Sequence, residues 1–117
     1  MISFARQPAA GIDFITYFDI YPCHQFVGIP EYLMGNIHTG EFNTEIKKQF
    51  AAAHIYNKED CRKCWAKFYC SGGCNANNYI YTGNILTAHK ISCEIEKKRL
   101  ECAIMIKAAQ AEAAAQE

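Results

Sequence analysis

The sequence predicts an α+β fold: a small N-terminal β-hairpin, a cysteine-rich middle with short helices, and a long C-terminal helix. Three observations predict it. Ile12–Tyr21 is rich in Ile, Phe, Tyr and Thr and stops at Pro22; four cysteines crowd into Cys61–Cys74; and from about His89 the chain reads as one uninterrupted helix with an alanine-rich end.

The elements follow in order. Residues 1–11 carry no clear pattern and are expected to be a loose end, with the folded domain over 12–107 and a frayed helical tail over 108–117. Side chains that fit a pleated surface make Ile12–Tyr21 a strand, and Pro22 ends it by removing a backbone donor. A second extended stretch is expected over Tyr32–Ile37, with Thr39-Gly40 turning the chain before Glu41-Phe42 to make the small hairpin. Asn43 or Thr44 can cap a helix through Phe50 into Ala51–Ala53. Asn57 followed by Asp60 resembles a capping box for a short helix holding Cys61 and Cys64. Ser71-Gly72-Gly73 and Gly83-Asn84 break regularity. The last helix should pair Glu94 with Lys98 at i,i+4.

Composition narrows the function classes. At 117 residues there is room for one domain, and 50% hydrophobic residues allow a core that is real but small. Twelve basic and twelve acidic residues cancel, so neither nucleic acid nor an anionic membrane is expected as partner. No apolar run approaches the roughly 18 residues of a membrane span, and the start of the chain lacks the features of a secretion signal, so a cytoplasmic location is expected. Seven cysteines is an odd number, and a reducing compartment disfavours disulfides. Metal ligation is the better use for them.

The strongest signal is Cys61-x2-Cys64-x5-Cys70-x3-Cys74, with Cys93 downstream and Cys23 far upstream. Thiolates favour soft or borderline metals, and a CxxC on a helical turn presents two sulfurs to one ion or cluster. Gly72 and Gly73 let the chain turn tightly and bring backbone amides towards sulfur, where they can spread negative charge. Trp65, Phe68 and Tyr69 lie between the second and third thiols, placed either to screen the site or to fill the core. Spacing alone leaves zinc and iron–sulfur open, because a four-cysteine zinc knot accepts similar pairs. The bacterial ferredoxin run is not matched: the central gap is five, and Asn75 stands where proline would.

Tyr21-Pro22-Cys23-His24-Gln25-Phe26-Val27-Gly28, then Met34-Gly35-Asn36, then Cys61 to Asn77, together resemble the SPASM domain, the C-terminal auxiliary iron–sulfur domain of radical SAM maturases. The likeness is strongest to the branch that matures SCIFF-type cysteine-rich peptides, and Lys97–Ile104 resembles that branch too. The resemblance implies auxiliary [4Fe–4S] clusters behind a SAM-cleaving barrel, in enzymes that install a thioether bond in a ribosomal peptide. It implies that Cys61, Cys64, Cys70 and Cys93 hold an outer cluster, and that Cys74 joins Cys23 at an inner one. The pattern's further cysteine is replaced by Gly40, and its Cys-Gly-Ala-Gly segment by Pro8-Ala9-Ala10-Gly11, so one cluster is expected and a second stays open.

Cys102 is a possible extra inner ligand, but nine residues on one helix turn through about 180°, so Cys93 and Cys102 should point opposite ways. Cys102 shares a stripe with Ile91, Ile95, Met105 and Ile106, which reads as a buried face. His24 is placed to contact a cluster sulfur or substrate, with a surface role as the plainer reading. The radical SAM signature Cys-x3-Cys-x2-Cys does not occur, so the chain alone is not expected to cleave S-adenosylmethionine. Its expected partners are a cysteine-rich precursor peptide and a radical SAM barrel, as a domain or a separate chain. The alternative from another class is a zinc-stabilised interaction module without redox role.

Overall fold

Of the β-formers before Pro22, Asp19–Tyr21 (β2) is the middle strand of a three-stranded antiparallel sheet. The computed structural model describes residues 3–4 and 18–116. The earlier part of the Ile12–Tyr21 strand, and Pro8–Gly11, lie outside the described residues. Within the segment expected to be loose, Ser3–Phe4 forms strand β1. The chain divides into two compact units, Met1–Ala53 and His54–Glu117.

In the first unit β1 sets Ser3 opposite Tyr21 and Phe4 opposite Ile20. On the other side of β2, Gly35–Asn36 (β3) sets Asn36 opposite Asp19, and the Asn36 amide donates to the Asp19 carboxylate at 3.0 Å. The hairpin turn falls where expected. Gly40, at a φ of +69°, donates its N–H to the Asn36 carbonyl at 3.0 Å, and Phe42 bridges back to Gly35. A Cβ on Gly35 would run into the Glu41 carbonyl, so only glycine allows this close return. The extended stretch expected over Tyr32–Ile37 is shorter, because Pro30–Tyr32 is a 3-10 turn opened by Pro30, whose ring fixes φ. Helix α1 (Thr44–Ala52) begins as its sequence suggests, with the Asn43 side-chain oxygen accepting from the Glu45 N–H at 3.0 Å. The unit's core is aromatic. Phe26 is 1% exposed and meets Tyr32 and Phe50 at ring-centroid distances of 4.5 and 5.3 Å.

The second unit carries α2 (Glu59–Arg62), α3 (Lys67–Cys70), α4 (Asn75–Thr82) and α5 (Lys90–Ala115). The expected capping box does not open α2. Lys58 occupies the N-cap position without a side-chain cap, and the Asn57 amide faces the His54 ring at 3.3 Å instead. Helix α4 was not expected, since Asn75-Ala-Asn-Asn has weak helix propensity. Gly83, at a φ of +78°, stops it. Helix α5 is continuous to Ala115, so the tail expected to fray is helical, and its residues are exposed. Glu94 pairs with Lys97 at 3.1 Å rather than with Lys98, which turns to Glu101.

One burial expectation is overturned, and one of two readings is ruled out. Ile91, Ile95, Met105 and Ile106 are 52–65% exposed and Cys102 is exposed, so the stripe on α5 is not a buried face among the described residues. Trp65, Phe68 and Tyr69 are 50–73% exposed and therefore do not fill the core. What is buried in the second unit is Ile85 and otherwise small or polar residues: Cys61, Ala66, Ala76 and Ala88, with Lys58 and Asn78. No helix among the described residues is long and apolar enough to cross a membrane.

Candidate metal centre

Four short pieces of chain supply the thiols of the second unit. Cys61 sits in α2 and is buried; Cys64 lies just beyond that helix, held by its N–H donating to the Cys61 carbonyl at 3.1 Å. The two are therefore not on one helix, but the turn between them keeps them neighbours. Cys70 ends α3, Cys74 stands at the N-cap of α4, and Cys93 lies in the first turns of α5.

Three consecutive left-handed residues join Cys70 to Cys74. Ser71, Gly72 and Gly73 have φ of 57°, 89° and 73°. Such a run reverses the chain in the shortest length, and glycine takes it without strain. The Gly73 N–H donates to the Cys70 carbonyl at 3.3 Å, so this amide serves the turn rather than a sulfur. The Gly72 carbonyl faces inward and accepts twice, from the Lys58 ammonium at 2.9 Å and from the Asn78 amide at 3.3 Å. Asn78 also donates to the Ile85 carbonyl at 3.5 Å, and its oxygen accepts from the His89 N–H at 3.1 Å. This buried amide therefore ties the glycine turn that follows Cys70 to the start of α5, which carries Cys93.

Cys61, Cys64, Cys70, Cys74 and Cys93 all line one cleft of about 930 Å³. Trp65 and Tyr69 stand on its wall, so two of the three aromatics flank the thiols although none is buried. Burial pushes the Cys61 thiol up; Lys58 pulls it down, and Cys93, Cys70 and Cys64 push it up further. Cys93 is likewise raised, by burial first and then by Cys70, while Lys97 opposes and Cys64 and Asp60 add to the rise. Burial and the neighbouring thiols thus disfavour the thiolate form of Cys61 and Cys93 until something positive enters among them.

Among the described residues, no three His, Cys, Asp or Glu side chains already converge on the position of a single metal ion. The seven cysteines are thiols, with no disulfide. Their chemistry fits a thiophilic centre: four soft donors from three segments of chain, a cleft to hold an inorganic core, and a buried cation close by. No protein-family model matches the chain, and no curated protein matches it.

The remaining candidates lie elsewhere. Cys23 belongs to the first unit, half-buried beside the 3-10 turn His24–Phe26, and His24 is exposed. Cys102, half a turn round α5 from Cys93 by helix geometry, does not line the cleft. Sequence reasoning missed Lys58 and Asn78. Lysine is almost never fully buried, so composition offers no cue for it. The available signal was position, a cation three residues ahead of the CxxC pair.

Proposed function

We propose that the chain is an auxiliary iron–sulfur module of a radical SAM peptide maturase, with Cys61, Cys64, Cys70 and Cys93 holding a [4Fe–4S] cluster. The observation that carries this reading is that these four thiols line one cleft. A bound cluster supplies one-electron transfer and withdraws the charge that the thiols cannot bear together. The protein's own part is to hold the donors apart and aimed. The turn at Ser71–Gly73 reverses the chain between Cys70 and Cys74, Asn78 anchors that turn to α5, and Trp65 and Tyr69 limit water at the rim. The resemblance over Tyr21–Gly28, Met34–Asn36 and Cys61–Asn77 supports the placement of this module beside a SAM-cleaving barrel, acting on a cysteine-rich peptide.

The test is anaerobic purification followed by metal and sulfide analysis. The reading expects brown protein with about four iron and four sulfide per chain. Colourless protein with one zinc per chain overturns it in favour of a zinc-stabilised interaction module. Co-expression with a SAM-cleaving barrel and a cysteine-rich peptide then tests the placement, by mass loss of two hydrogens per thioether formed.

A further inference from the structure

We propose that Lys58 is the built-in counter-charge of the thiolate-bound centre, a fixed buried cation that raises the centre's reduction potential. The inference rests on the iron–sulfur reading above and adds a residue to which neither the cysteine pattern nor the resemblance gives a role.

Lys58 is 1% exposed, and with Phe26 it is one of the two largest side chains wholly removed from solvent. Taking an ammonium out of water is costly unless a negative group compensates. Here the ammonium has only neutral direct partners, the Gly72 carbonyl at 2.9 Å and the Asn75 side-chain oxygen at 2.8 Å. None of the four ion pairs among the described residues includes it. The negative groups that act on it are the sulfurs of Cys61, Cys70 and Cys74, which oppose the downward pull of burial. A bound centre would hold Cys61 and Cys70 as thiolates and so supply the negative charge that compensates the ammonium. The fold therefore pays for a cation that only a metal-loaded site repays.

Position reinforces this. A Cβ on Gly72 would come within 3.2 Å of the Lys58 Nζ, so the turn is kept bare where the ammonium approaches it. Because Gly72 lies between Cys70 and Cys74, the ammonium is seated against the turn that joins two of the thiols. A [4Fe–4S] core with four thiolate ligands is doubly negative, and becomes triply negative on accepting one electron from a low-potential reductant, with no bond broken and no proton moved. A nearby fixed cation favours the more negative state.

The experiment uses the full chain, reconstituted anaerobically, with dithionite titration followed by EPR. Four forms are compared: the unsubstituted chain, Lys58→Arg, Lys58→Gln and Lys58→Met. The inference expects Arg to keep the midpoint potential. Gln and Met should disfavour reduction at least tenfold, a shift of about 59 mV to the negative. Neutral variants that keep both their iron and the original potential overturn it. If the neutral variants fail to retain iron, loading decides. Iron retained by Arg then supports a charge role, whereas loss of iron in Arg as well overturns it. An unsubstituted chain that binds zinc and no iron fails before any variant is compared, which separates loss of the iron–sulfur reading from loss of this one.

Discussion

The two units of this chain are held together by different means. In the first, Phe26, Tyr32, Tyr21 and Ile46 are buried, and Phe50 meets the Phe26 and Tyr32 rings edge to face. In the second, the buried set is Cys61, Ala66, Ala76, Ile85 and Ala88 around Lys58 and Asn78, while Trp65, Phe68, Tyr69, Ile80 and Tyr81 face outward. Apolar burial scales with area, so the first unit carries its stability in side chains and the second has little of that kind to draw on. The interior of the second unit holds one thiol, a lysine and an amide among small apolar side chains, and under the proposed function a bound centre would supply stability that this packing lacks. The difference teaches where to look for metal dependence.

The largest expected effect breaks the second unit alone. Cys64→Ala should reduce bound iron to background and abolish hydrogen-exchange protection in α4 and early α5, while amides of α1 and β2 keep theirs. Equal loss in both units would erase the distinction. Next is the reciprocal experiment: Phe26→Ala should destabilise the first unit by about 3–5 kcal/mol in denaturant unfolding. Iron per folded chain should not change.

The metal-free protein offers a pH-dependent contrast. The folded environment raises Cys61 and Cys93 above the ordinary thiol value of 9.0, so at any pH near or below that value their thiolate fraction is smaller than in the unfolded chain. Alkylation by iodoacetamide at pH 8 should be several-fold slower at both positions than in denaturant, and should accelerate as pH rises through their raised values. Mass mapping of labelled peptides reads this directly. The smallest effect is Asn43→Ala, which removes the α1 cap and should cost about 1 kcal/mol in the first unit.

Local signals in the sequence were legible where one residue decides the geometry. Asn43 caps α1, Gly40 turns the hairpin, and Ser71-Gly72-Gly73 reverses the chain as its composition suggests. Cys61, Cys64, Cys70 and Cys74 were legible as a group from their short spacing around a glycine turn, whereas Cys93 was joined to them only through the resemblance, which set Cys74 apart with Cys23; all five line one cleft. Signals failed where the answer depends on what lies opposite. The Ile91, Ile95, Met105 and Ile106 stripe has helical period, but period cannot reveal whether a surface meets it, and among the described residues it is exposed. Asn57 has the right type for a cap but spends its amide on His54. Burial of Lys58 is a tertiary fact that overrides the residue's ordinary preference for solvent.

The central claim is that four thiols of the second unit hold an iron–sulfur core, and X-ray absorption at the metal edge tests it most directly. On anaerobically purified protein the account predicts an iron edge with a sulfur shell and an iron–iron shell, both lost in Cys64→Ala. A zinc edge with a single sulfur shell near about 2.3 Å would contradict it.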